Sequence, residues 1–228
     1  WNSAELSDLL ADALGRMLSD SDLDSGLGAT MLMIPDAAAL AEHVSPIDVD
    51  RLANAVVGLR MRLAEKLRGV LIDVHARTAP GNVETERDLS AAAMGRRALH
   101  NAVLRLLLVR PDAELIGIAD RQFRDAAGMT LRIGALAALS DTDARERDAA
   151  LDAFYARHKG DALAIDKWFS VQARADRPQT LDDVRRLMRH PDFTTGNPNR
   201  LRALVSAFAE GNFRRFPDRA GDGYRLLT

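Results

Sequence analysis

Cysteine is missing from the chain altogether, which excludes disulfide stapling and cysteine-ligated zinc. Lysine is almost missing: Lys66, Lys159 and Lys167 are the whole complement, and arginine carries the rest of the positive charge. With abundant alanine, that bias points to a GC-rich genome rather than to a function. No charge of one sign prevails. Basic residues number 31 and acidic ones 33, so the net charge of −2 offers no argument for a nucleic acid or an anionic membrane as partner. No apolar run approaches the roughly 20 residues of a membrane-spanning helix. The start at Trp1 shows neither an initiator methionine nor a basic, apolar signal segment. Glycine and proline are few and fall mostly between periodic segments.

What is present is helical periodicity over a length sufficient for one or two domains with a sizeable core. Ser3 can cap a helix that turns Leu6, Leu9, Leu10, Ala13, Leu14 and Met17 inward. A short helix comes next over 23–33, and Pro35 opens a third toward Val44. Asp48 or Asp50 caps one long helix to Ala76, with Leu52, Val56, Leu59, Leu63, Leu67, Val70 and Val74 on its apolar side. Residues 77–86, with Pro80-Gly81-Asn82, are the clearest loop. Helices are then expected over 88–109, 111–126, 131–139, 143–158, 162–173, 181–189 and 198–210. No alternating strand pattern interrupts them. Short helices with tight connections predict an all-α fold of stacked helical pairs, an α-solenoid, with an irregular bundle as its structural rival. No composition shift marks a boundary, so residues 1–228 are expected to form a single helical-repeat domain. Gly221-Asp222-Gly223 and the five residues after them look like the first turn of a further helix. A solenoid needs a polar terminal cap, so this one is expected to be truncated at its C-terminal end.

Enzyme signatures are absent. There is no phosphate-binding glycine loop, no nucleophile elbow and no HExxH. No two of His43, His75, His100, His158 and His190 stand three or four residues apart, so each is expected at a surface or between helices and none as a metal ligand. Asp22, Asp24, Asp182 and Asp183 stand at helix starts, where capping and the helix dipole account for them. The doublets Arg96-Arg97, Arg185-Arg186 and Arg214-Arg215 have acidic neighbours and no interleaved aromatics, which favours a salt-bridged face over an RNA-binding stripe. Ile165, Trp168, Phe169 and Gln172 keep helical spacing and are expected in the core.

One segment breaks a local rule. In NPNRLRALVSAFA, residues 197–209, Asn197 is a good N-cap and Pro198 suits the first helical position. Arg200 then sets a cation at the positive end of the helix dipole, where a carboxylate would be the stabilising choice. Such a break calls for a second constraint. Leu201, Leu204, Val205 and Phe208 define the expected apolar face. Arg200 and Arg202 lie about 100° to either side of Leu201 and flank it. Each has two readings, a cation facing a cavity or a buried Arg–carboxylate bridge.

NPNRLRALVSAFA resembles a signature of the C-terminal helical domain of bacterial aminopeptidase N, a family of zinc metallopeptidases. AIDKWFSVQA at 164–173 and GRRALHNAVLRLL at 95–107 are similar to two further helices of that domain, in the same order and spacing. The resemblance implies an ARM/HEAT-like solenoid that closes over a catalytic domain of the same polypeptide and shapes peptide access. It implies zinc in the cytoplasmic parent enzyme and none in this fragment, which lacks both HExxH and the GxMEN-type loop that holds a substrate's amino terminus. No catalytic residue is expected here. An arginine of the family motif lines the peptide enclosure, and the matching position is Arg202; Arg200 is the second channel candidate. The rival reading is a stand-alone helical-repeat interaction module.

Overall fold

Short polar side chains mark where six of the helices begin. Asp24, Asp36, Ser90, Asp112, Asp161 and Asn197 each accept a hydrogen bond from a backbone N–H of the first turn. The computed structural model describes residues 3–80, 87–217 and 220–227. Every regular element among them is helical: α1 Ser3–Ser19, α2 Ser25–Met31, α3 Ala37–Ala41, α4 Val49–Lys66, α5 Arg68–Arg77, α6 Ala91–Leu107 and α7 Ala113–Asp125. Then come α8 Met129–Ser140, α9 Arg145–His158, α10 Ala162–Ala173, α11 Thr180–Leu187, α12 Pro198–Leu201, a π-turn Arg202–Ser206, α13 Ala207–Gly211 and α14 Asp222–Arg225. No described helix is long and apolar enough to cross a membrane.

The chain divides into two compact units, one of residues 1–35 with 54–138, the other of 36–53 with 139–228. In the first, α6 packs on α2 and α5, and α1 packs on α5. Leu63, Leu71, Val74, Val103 and Leu104 are fully buried there. The α2–α6 crossing depends on two glycines. A Cβ on Gly95 would stand 2.8 Å from the Gly26 backbone nitrogen, so the helices meet closer than any side chain would allow. In the second unit α10 is central and touches α9, α11, the π-turn and α13. Phe154, Phe169, Val184, Leu204 and Phe208 fill that core.

Three expectations need correction. The long helix over 50–76 is two, α4 and α5, separated at Leu67. The helical N–H bonds run on across the join, from Leu67 to Leu63 and from Leu71 to Leu67, so the register survives. The apolar period therefore gave no sign of the break. Secondly, α1 turns Ser7, Ala11, Leu14 and Leu18 inward, and leaves Leu6 and Leu9 half exposed and Leu10 38 % exposed. Leu14 is inward as expected, but the face runs on through Ser7, Ala11 and Leu18, and a serine and an alanine on that face hid it from the apolar period. Packing selects the stripe beside Gly15, where a Cβ would come within 3.1 Å of Leu67 Cδ2. Thirdly, the helix over 198–210 is interrupted by a π-turn. The loop expected over 77–86 lies mostly outside the described residues.

The glycine crossing yields a test. Gly95→Ala should destabilise the chain by about 1–3 kcal/mol, because an added methyl meets backbone, which cannot step aside. Nothing lies within 4 Å of a Cβ at Gly160, so Gly160→Ala should be near neutral. Urea unfolding of the two variants beside the parent chain measures both.

Candidate functional site

The segment that breaks the dipole rule lies against α10. Asn197 Oδ1 accepts from the N–H groups of Asn199 and Arg200, at 3.0 and 3.4 Å, and Pro198 takes the first turn. Arg200 is then buried, 7 % exposed. Its Nη1 stands 3.1 Å from Asp166 Oδ1 on α10, and its guanidinium carbon lies 5.1 Å from the centre of the Phe169 ring. A carboxylate at ion-pair distance and an aromatic face thus replace part of the water a cation loses on burial, while Arg200 Nε, Arg200 Nη1 and Asp166 Oδ1 make no hydrogen bond among the described residues. Phe169 is held in turn by Trp168, His190 and Phe193, whose rings surround it. Trp168 is 6 % exposed and donates from Nε1 to the Leu151 carbonyl at 3.0 Å, so this pair forms core, as its spacing predicts.

The two arginines do not flank the face symmetrically. Arg200 is inside, Leu201 is half-buried, and Arg202 is exposed. The cause is the π-turn. The Ala207 N–H reaches back to the Arg202 carbonyl, five residues away, and the turn holds one residue more than an α-helix would. Residues on its N-terminal side are therefore rotated by about one residue's 100° relative to those on its C-terminal side. Arg200 moves into the face that Leu201 was expected to occupy. The Ala203 carbonyl accepts from Ser170 Oγ on α10 at 2.9 Å. Farther on, Asn212 Nδ2 donates to the Ala173 and Ala175 carbonyls at the end of α10, at 3.3 and 2.8 Å. Arg202 makes no side-chain hydrogen bond or ion pair among the described residues. Sequence reading missed the π-turn and Ser170, because no local residue pattern encodes a bond between positions 170 and 203.

A second polar cluster lies in the first unit. His75 and His100, 25 positions apart, stack with ring centres 3.8 Å apart. Gln122 Nε2 donates to Asn101 Oδ1 and to the Leu131 carbonyl, which fixes its amide, so His75 Nε2 donates to Gln122 Oε1 at 2.9 Å. Thr78 Oγ1 spends its proton on the Val74 carbonyl, so His100 Nδ1 donates to Thr78 at 3.1 Å. The two imidazoles are neighbours through their faces, and these nitrogens are engaged as donors. Burial lowers the pKa of both: His75 falls below 6.5, and His100, also opposed by His75, falls to about 4.

The remaining singled-out residues are structural. Arg185 and Arg186 pair with Asp182 and Asp183, and Arg214 and Arg215 with Asp176. Asp183 also receives Arg147 and Arg177, so it anchors an ion-pair network as well as standing in the first turn of α11. Among the described residues no three His, Asp or Glu converge as a metal site.

Known proteins share this architecture. Residues 2–228 match the family described as a domain of unknown function (DUF3458_C) with ARM repeats. The chain is 39 % identical over 218 residues to aminopeptidase N of Caulobacter vibrioides and 32 % identical over 219 residues to aminopeptidase N of Escherichia coli. Each alignment covers 96 % of this chain and 25 % of the relative, so the chain spans about a quarter of the length of these relatives. The crystal structure of Legionella pneumophila aminopeptidase A in complex with aspartic acid is similar at a TM-score of 0.82 and 29 % identity, over 95 % of this chain and 26 % of that one.

The stacked imidazoles predict a direction of acid sensitivity. Folded, they stay neutral where the unfolded chain's would be protonated, so between pH 6.5 and about 4 the unfolded state binds more protons. Their contribution is complete above pH 6.5 and is lost as the pH falls toward about 4. Unfolding free energy measured across that window should decline more steeply in the parent chain than in His100→Leu. Parallel slopes would remove the pair from the account.

Proposed function

The chain belongs to the DUF3458_C family of ARM-repeat domains, and on that footing we propose that it is the non-catalytic C-terminal domain of a cytoplasmic zinc aminopeptidase that removes amino-terminal residues from peptides. Residues 1–228 form a single helical-repeat domain of that longer protein, cap its active-site cavity and shape peptide access. The observation that carries the reading is the alignment of nearly the whole chain with one quarter of proteins named aminopeptidase N.

The metal would be held elsewhere in the polypeptide. The one place where two histidines meet aims their nitrogens at Gln122 and Thr78 and, among the described residues, brings no third ligand, so these residues do not fit zinc. What the chain offers a peptide is charge. Arg202 is an exposed cation without a side-chain partner among the described residues, on a segment whose other arginine is spent on Asp166. It suits the carboxylate or backbone carbonyls of an extended peptide beyond the bond being cut. Of the two channel candidates Arg202 retains that role, and Arg200 acts from the core. On this reading the outward stripe of α1, Leu6, Leu9 and Leu10, is one exposed apolar face with which the chain would meet the catalytic domain.

The isolated chain should neither retain zinc nor hydrolyse amino-acid anilides; stoichiometric metal with chelator-sensitive turnover would overturn this. Arg202→Ala should cost the isolated chain about 1 kcal/mol or less, as an exposed site does. In the intact enzyme the same change should lower kcat/KM for a tripeptide while leaving an alanine anilide nearly unaffected, and an unchanged ratio of the two would remove the channel role. Amide exchange along α1 should be slower in the intact enzyme than in the isolated chain; equal rates would detach that face from the catalytic domain.

A further inference from the structure

On either side of Arg202 the backbone is tied to the same helix. Two residues before it, Arg200 is paired with Asp166; one residue after it, the Ala203 carbonyl receives the Ser170 hydroxyl. Asp166 and Ser170 stand four positions apart on α10 and so share one of its faces. Both ties select the same register. In a regular α-helix the Ala207 N–H would bond the Ala203 carbonyl, four residues back. It bonds the Arg202 carbonyl instead, and Ser170 supplies the donor that Ala203 has lost. Tightening the turn would also rotate the preceding residues by about 100°. That rotation would draw Arg200 off Asp166 and off the Phe169 ring, leaving a buried charge uncompensated. It would swing Arg202 through the same angle.

We propose that Asp166 and Ser170 are positioning residues for Arg202: from one face of α10 they hold the π-turn open and thereby fix the direction in which the Arg202 side chain leaves the helix. The inference rests on the peptide-channel reading of Arg202 and deepens it, since it names what aims the cation. Neither residue needs to touch substrate. Asp166 works through Arg200, and Ser170 works through the Ala203 carbonyl.

The test uses the intact aminopeptidase and compares kcat/KM for a tripeptide with kcat/KM for an alanine anilide. Ser170→Ala deletes one neutral hydrogen bond at a half-buried site, so the enzyme should fold, and the tripeptide-to-anilide ratio should fall about two- to tenfold. Ser170→Thr keeps the hydroxyl and should restore it. Asp166→Asn should lower the ratio further; if that variant fails to fold, the serine pair decides the matter. The double variant Ser170→Ala with Arg202→Ala should be no worse than Arg202→Ala alone, because a positioning residue has nothing left to position. A merely structural role predicts equal losses for both substrates and additive effects. If Arg202→Ala lowers the ratio but Ser170→Ala does not, or the two effects add, the positioning role is overturned and the channel reading stands. If Arg202→Ala itself leaves the ratio unchanged, the channel reading is refuted and the positioning role with it.

Discussion

Arg200 enters the core because α10 offers it a carboxylate and a ring one turn apart. Remove Asp166 and a guanidinium is left buried beside Phe169, a situation that costs about 3–5 kcal/mol when one partner of a buried ion pair is deleted. The pair therefore constrains more than its own neighbourhood. It fixes the rotation of α12, which obliges the next turn to widen, which leaves the Ala203 carbonyl needing the Ser170 hydroxyl. It also decides which of two nearby arginines remains exposed. The cation at the positive end of a helix, unfavourable by the dipole alone, is thus compensated from a neighbouring helix rather than from its own.

Arginine's prevalence has a structural use that composition conceals. Arg97, Arg132, Arg147 and Arg200 are all nearly buried. Arg97 and Arg132 donate to the backbone carbonyls of Asp88 and Ala126, Arg147 meets Asp148 and Asp183, and Arg200 lies over Phe169. A planar, weakly hydrated guanidinium can bridge carbonyls, fork onto carboxylates and stack on rings, and an ammonium does none of these as well. The bias that looks genomic in the sequence also supplies much of the polar bonding between helices.

Local signals and long-range ones divided cleanly between what the sequence revealed and what it hid. The caps Asp24 and Asn197, the helical period of α6, α9 and α10 and the core placement of Trp168 and Phe169 come from spacing within a turn or two. The inward stripe of α1 did so only at Leu14, because Leu6, Leu9 and Leu10 make the more apolar side and only contact with neighbours such as Leu67 turns Ser7, Ala11 and Leu18 inward instead. The Arg200–Asp166 pair spans 34 positions and the His75–His100 stack 25, beyond the reach of any periodicity. Of the site, the unusual arginine was visible and its partner was not. The family motif marked the position of Arg202, and the π-turn explains why that position stays outside.

A helix with one residue too many ordinarily passes the surplus along until it escapes at an end. Here neither end lets go: Asn197 and Arg200 hold the start, while Phe208 in the core and Asn212 on the carbonyls of Ala173 and Ala175 hold the finish. The surplus is trapped between two locks, like a link that no neighbouring link can take up. Deleting a single residue inside 203–206 would then be less disruptive than a point change at either lock, since it returns a regular helix between fixed ends. Such a deletion would keep the outward heading of the Arg202 guanidinium, because Arg200 still holds the start, and would leave the Ser170 hydroxyl without the carbonyl that the widened turn frees for it.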